Sequence, residues 1–249
     1  MSITVDQIIP LVSREVHPEC EMYAYALSQI KDKDMTLSYY LHGGEMLARG
    51  LLNVLSELGM LPQEKTILDF ACGYGRVTRW FPLLFKETTC SDLSPEMMEF
   101  NARAFGVRTL LSTLHPEDFA SPAFDVVFVF SLFTHLNKDV WPQWYRVLAG
   151  KVAPGGLFVF STHSYELMEQ LSPGRLRRNR DRGDDFVFWE ANETGGRLNP
   201  RVYGGNVVTP AFVMEVNRRQ AGLEFYKHFT MGQFDQYHDI YVFRNPPLP

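Results

Sequence analysis

Ile67-Leu68-Asp69-Phe70-Ala71-Cys72-Gly73-Tyr74-Gly75-Arg76 reads as a short buried strand that runs directly into a glycine turn. The apolar residues before Asp69 suit a strand covered on both faces. Two glycines one residue apart let a backbone approach a ligand closely. Val77, Trp80, Phe81 and Leu84 recur at helical spacing, so the segment from Arg76 to Phe85 is expected to be a helix whose N-terminus faces that ligand. A Gly-x-Gly turn by itself is shared by several classes of nucleotide-binding site. Counted as a dinucleotide fingerprint from Gly73, the third glycine falls at Thr78, a mismatch. Asp69 would also repel a pyrophosphate, whereas a carboxylate at that point suits a cationic ligand such as an amino group or a sulfonium.

Outward from the turn, the pattern repeats. Glu87–Asp92 is a second strand, and Ser94-Pro95-Glu96 opens a helix with an N-cap and a proline in the first turn. Val107–Leu111 is a third strand. Phe124–Phe130, apolar except for Asp125, is typical of a fully buried strand. A helix through Trp141, Tyr145 and Leu148 leads to Pro154-Gly155-Gly156 and a fifth strand, Leu157–Ser161. This alternation predicts an α/β fold with a Rossmann-like, open, mostly parallel sheet and helices on both faces. Asp92 closes the second strand, where a carboxylate can accept both hydroxyls of a ribose.

Residues 1–62 read as a helical N-terminal cap, with Leu47, Leu51, Leu52, Leu55 and Leu58 at three- and four-residue spacing and Gly59 and Pro62 as the stop. Residues 63–249 then form the main domain, interrupted by an insertion at about 164–220 that reads as a lid. A helix over Pro210–Ala221 and strands over Glu224–Thr230 and Asp239–Arg244 close the chain.

Composition narrows the function. The chain has 249 residues, 45% of them hydrophobic, which is enough for a sizeable core. A net charge of −5 argues against a nucleic-acid surface as the main business of the protein. No apolar run reaches the ~20 residues of a membrane helix, and residues 1–30 lack the apolar core of a signal peptide. Cys20, Cys72 and Cys90 form neither a disulfide framework nor a metal-binding spacing. The expectation is a cytoplasmic protein with no metal and no membrane partner.

The sequence resembles the class I S-adenosylmethionine-dependent methyltransferases, within them a bacterial small-molecule group. The likeness rests on Ile67–Gly75 as the first motif, Asp92 as the ribose acid, Phe124–Leu136 as the fourth strand with its loop, and Ala153-Pro154-Gly155-Gly156 as the turn before the fifth strand. It implies S-adenosyl-L-methionine as cofactor and an antiparallel hairpin for the last two strands. Asp69, Ala71, Cys72, Gly73 and Gly75 would then contact its methionine part. Asp92 would hold the ribose and Leu93 the adenine, with Thr113 and Leu114 at the adenine edge, although the usual acid at that edge is absent. Ser131 and Leu132 would end the fourth strand beneath the sulfonium. Ala71 departs from the family, which usually has glycine there; the expectation is that binding survives only if its φ is negative.

The resemblance implies methyl transfer to a small-molecule acceptor, with a hydroxyl oxygen the favoured target. A base is needed if the nucleophile arrives protonated. His135, just past the fourth strand, and His163, after the fifth, are the candidate catalytic residues. Tyr203, His238 and Asp239 are weaker candidates. His135 could instead hydrogen-bond the loop that shapes the site. Tyr39 and Tyr40 could cap the cofactor or pack on a helix face. The arginines from Arg175 to Arg182 could recognise an anion or, interleaved with aspartates, form a solvated loop. A non-catalytic S-adenosylmethionine-binding protein and an NAD(P)-dependent oxidoreductase are the alternative readings.

Overall fold

The protein is described from a computed structural model that covers residues 4–167, 182–191 and 197–248. Its chain divides into two compact units, Met1–Leu114 and His115–Pro249.

The first unit begins with helices α1 (Val5–Ile8), α2 (Glu21–Ile30) and α3 (Lys33–Glu57). The Asp32 side chain caps α3 by accepting the Met35 N–H at 2.8 Å. Tyr40, Gly44, Leu47, Leu51 and Leu55 recur at helical spacing and are buried, so they form the inward face. A Cβ at Gly44 would stand 2.2 Å from the Arg76 carbonyl oxygen, so glycine lets α3 cross directly over the chain that follows the glycine turn. Tyr40 packs on this face and meets the Cys20 sulfur at 3.3 Å, while Tyr39 is exposed.

Strands β1 (Thr66–Phe70), β2 (Glu87–Asp92) and β3 (Arg108–Leu111) pair in parallel. Helix α4 (Pro95–Phe105) joins β2 to β3, capped by Ser94 and ended by Gly106 in the left-handed conformation. The connection from β1 to β2 differs from expectation. Instead of an α-helix over 76–85, a 3-10 segment runs from Thr78 to Leu83. Pro82 lies inside it; without an N–H, and with its ring against the carbonyl four residues back, it breaks an α-helical ladder. The apolar spacing still serves burial, since Val77, Trp80, Phe81 and Leu84 are all in the core.

In the second unit, β4 (Phe124–Val129) lies parallel to β5 (Val152–Thr162). The Pro154-Gly155-Gly156 turn is part of this longer fifth strand, whose pairing with β4 shifts register between Phe124 and Val126. Helix α5 (Trp141–Ala149) precedes β5. A hairpin of β6 (Phe186–Trp189) and β7 (Gly205–Val208), absent from the sequence reading, forms its own two-stranded sheet. Helix α6 (Pro210–Gln220) follows, and Tyr145 on α5 donates to Asn217 on α6 at 2.8 Å. β8 (Glu224–Phe229) and β9 (Asp239–Arg244) are the antiparallel closing pair, with β9 against β5. The strand order is β3-β2-β1 in the first unit and β4-β5-β9-β8 in the second. Phe128, Phe158, Phe160, Tyr241 and Phe243 are fully buried and form the aromatic core of the second unit. No described helix is long and apolar enough to cross a membrane.

Candidate functional site

The turn after β1 is held in an unusual conformation. Ala71, Gly73 and Gly75 all adopt left-handed backbone, with φ of 60°, 55° and 71°. The condition that the sequence reading set for Ala71, a negative φ, is therefore not met. Alanine adopts the glycine-like conformation, at a cost of about 1–2 kcal/mol, so the turn keeps its shape without the usual glycine. The two glycines do different work. A Cβ at Gly75 would meet Asn101 Oδ1 at 2.1 Å and the Phe105 ring at 2.4 Å, so this residue admits α4. A Cβ at Gly73 would meet nothing within 4 Å, which makes Gly73 the open side of the turn. Asn101 braces the turn by donating to the Gly73 carbonyl at 2.8 Å.

Both predicted carboxylates converge on this turn. Asp92 accepts the Gly73 N–H at 2.8 Å and the Leu93 N–H at 2.7 Å, one on each oxygen. A carboxylate has about four lone-pair positions, so acceptor capacity remains for ribose hydroxyls. Burial pushes the Asp92 pKa up, opposed by those two backbone donors. Asp69 lies beneath the turn, 2% exposed, and accepts the Thr78 hydroxyl at 2.6 Å. Thr78, the position that fails the dinucleotide pattern, is thus the partner of the acid. Burial raises the Asp69 pKa to about 7, with the Thr78 hydrogen bond opposing and the nearby Asp92 charge adding. A cationic group would restore its ionised form. Burial and the neighbouring Cys90 thiol raise the Cys72 pKa, so Cys72 is a neutral thiol.

Leu93 and Leu114 are exposed, as is Leu111, which pairs in register with Asp92. Leu93, next to Asp92 in the chain, and Leu111, its register partner, give Asp92 an exposed apolar flank that an adenine ring would suit. Thr113 is half-buried. Open Gly73, Asp92 and this surface fit the expected cofactor. The expected helix N-terminus is missing, because the segment after the turn is 3-10 and Arg79 Nε instead donates to the Gly75 carbonyl at 3.0 Å.

In the second unit, the carboxyl ends of β4 and β5 gather polar side chains. Ser131, also left-handed with φ 67°, donates its N–H to Ser161 Oγ at 2.7 Å. Leu132 opens a short 3-10 turn that carries the chain to His135. His135 Nδ1 lies 2.8 Å from the Gly204 carbonyl, and its ring stacks on Tyr203 at 4.7 Å. A carbonyl only accepts, so His135 carries its proton on Nδ1. His163 stacks on His238 at 4.9 Å. Burial, reinforced by the His238 and His135 rings, lowers the His163 pKa to about 3. Among the described residues, His163 Nδ1, Thr162 Oγ1 and Asn206 Oδ1 are buried without a hydrogen-bond partner. Sequence reasoning missed Ser161, Asn206 and Asp235, the partner of His238 described below. Their only sequence signal was proximity to strand ends or to a histidine.

A cavity of about 560 Å³ in the second unit is lined by Ser164, Asp185, Thr209, His228, Thr230 and Asp239, among others. Asp239 there accepts from His228 at 2.9 Å and from the Met231 N–H at 2.9 Å. Of the predicted arginine run, Arg175, Arg177, Arg178 and Arg180 lie outside the described residues, and Arg182 is exposed.

Residues 67–156 match a family model described as a methyltransferase domain. No curated protein matches the chain by sequence. Among solved structures, an S-adenosylmethionine-dependent methyltransferase from Clostridium acetobutylicum is similar, with a TM-score of 0.59 and 15% identity over 81% of this chain and 92% of that one. So is 1,6-didemethyltoxoflavin-N1-methyltransferase from Burkholderia thailandensis, solved with its substrate and S-adenosylhomocysteine. Its TM-score is 0.57 at 14% identity, covering 93% and 92% of the two chains. An O-methyltransferase family protein from the same organism gives 0.55 at 16% identity, covering 98% of this chain and 69% of that one. At these identities the likeness establishes the fold. The family match, over residues 67–156, takes in β1, the glycine turn and Asp92.

Proposed function

We propose that the protein transfers the methyl group of S-adenosylmethionine to a hydroxyl oxygen of a small molecule. The observation that supports this most is the polar cluster at the carboxyl ends of β4 and β5, where Ser131 meets His238 and His238 stacks on His163, whose Nδ1 is buried without a hydrogen-bond partner. A sulfonium donor supplies both the activated methyl and its leaving group. The protein must then position the acceptor, exclude water and take a proton. In the first unit, Asp92 would hold the ribose, the exposed leucines the adenine, and Gly73 the methionine part. In the second, the 560 Å³ cavity is in the range of small-molecule sites. His135 is proposed to shape the acceptor side by fixing residues 203 and 204. His163, neutral at physiological pH, would offer an uncharged polar contact. With its three free cysteines, the protein is proposed to be cytoplasmic.

An amine acceptor is the second reading. Among the described residues the cavity lining includes Glu166, Asp184, Asp185 and Asp239 and no lysine or arginine, which would favour a cation. The test is methyl transfer from radiolabelled S-adenosylmethionine to a panel of phenols, hydroxylated heterocycles and amines. Labelled ethers or esters support the hydroxyl reading. Labelled amines alone support the second. A chain that binds the cofactor but labels nothing would point to a binding protein without turnover.

A further inference from the structure

His238 sits one residue before β9 and is tied on both ring nitrogens. Its Nδ1 meets Asp235 Oδ1 at 2.5 Å, and its Nε2 lies 3.3 Å from Ser131 Oγ. A carboxylate can only accept, so Nδ1 carries the proton and Nε2 presents its lone pair towards Ser131. The ring is held between Phe130, at 4.5 Å, and His163, at 4.9 Å. The His238 and Asp235 side chains are 12% and 15% exposed, so the pair is largely dry yet reachable. Ser131, on the other side, is held in a left-handed conformation by the Ser161 hydrogen bond. Backbone strain concentrated at such a point is a mark of a functional site.

We propose that His238, oriented by Asp235, is the general base for the acceptor hydroxyl, which binds beside Ser131 Oγ and takes over its hydrogen bond to Nε2. This rests on the hydroxyl-acceptor reading above. The acceptor O–H bond breaks and its proton passes to Nε2. The oxygen lone pair forms the new O–CH₃ bond as the C–S bond of the donor breaks, its electron pair staying on sulfur. The resulting imidazolium is stabilised by the Asp235 carboxylate, and His163 stacks against it as a neutral ring. The arrangement gives His238 both features of a general base. It has a carboxylate on one nitrogen and, on the other, a lone pair directed at a hydroxyl.

Two measurements test this. In ¹⁵N-labelled protein saturated with S-adenosylhomocysteine at pH 8, the His238 ring should be the Nδ1–H tautomer, and Asp235→Asn should shift it toward a mixture. An Nε2–H tautomer in the wild type would overturn the proposal. With a phenol methylated in the panel, His238→Gln should lower kcat about 100-fold or more and abolish the acid limb of the pH profile. S-adenosylhomocysteine affinity should change by less than about twofold. Asp235→Asn should lower kcat about tenfold. Full turnover by His238→Gln would overturn the proposal. If no hydroxyl compound is methylated although the cofactor binds, the acceptor reading fails, and the tautomer alone decides whether the dyad is built as described.

Discussion

The Asp92 carboxylate accepts the Gly73 backbone N–H at 2.8 Å, and this bond fastens the end of β2 to the open side of the cofactor turn. The acid expected to hold a ribose therefore also fixes the loop beside it. Asp92→Ala should thus lose stability as well as cofactor affinity. Two N–H donors lose their partner, costing about 1–3 kcal/mol. Urea denaturation of the apo chain reads that loss without reference to any ligand. An unchanged midpoint would show that the bond does not hold the turn.

The two glycines of the turn should respond differently to alanine. Gly75→Ala places a methyl 2.1 Å from Asn101 Oδ1 in a left-handed conformation, so it should destabilise by more than about 3 kcal/mol and yield little folded protein. Gly73→Ala meets no atom and should cost only the backbone term, about 1–2 kcal/mol. It should remain folded yet bind S-adenosylhomocysteine at least about tenfold more weakly. Equal stability losses in thermal melts of the two variants would contradict this division of roles.

Ala71 carries strain that glycine would remove. Ala71→Gly should stabilise the apo chain by about 1 kcal/mol, after allowing for the greater freedom of glycine in the unfolded chain. Cofactor affinity should be equal or better. A destabilised variant would mean that the methyl group packs productively and offsets its backbone cost.

Asp69 predicts opposite pH trends for the free and bound protein. Its pKa rises from the ordinary 3.8 to about 7 on folding, so between those values the folded chain holds a proton that the unfolded chain releases. This residue's contribution to apo stability is therefore fully present below about pH 4, falls as pH rises towards 7, and levels off above. A cationic ligand prefers the ionised carboxylate, so affinity for S-adenosylmethionine should increase from pH 6 to pH 8. Asp69→Asn should flatten both trends relative to wild type. Comparing urea midpoints and titrations of the two proteins across pH 5–8 checks the sign. Parallel wild-type and Asp69→Asn profiles would refute it.

What the sequence disclosed, and what it concealed, follows from the range of the interactions involved. Strands β2 and β9 lie at the bounds read from the chain, and the glycine turn follows β1 as expected, because burial patterns and glycines are local signals. The helix expected after the turn failed because apolar spacing reports burial, whereas Pro82 governs the hydrogen-bond ladder. The hairpin of β6 and β7 had no short turn between its strands to announce it. At the candidate site, Asp69 and Asp92 were legible from position alone. The pairing of Ser131 with His238 spans 107 positions and belongs to tertiary structure, so no spacing could reveal it. The buried bond from Thr78 to Asp69 turned an apparent motif mismatch into a structural partner.

The central claim is tested most directly by calorimetric titration of the chain with S-adenosylhomocysteine, alongside NADPH, using wild type and Asp92→Ala. One-site, micromolar binding of the sulfur nucleoside to wild type, lost in the variant and absent for NADPH, is the predicted result. Failure of the folded wild type to bind it, or preferential binding of NADPH, would contradict the account.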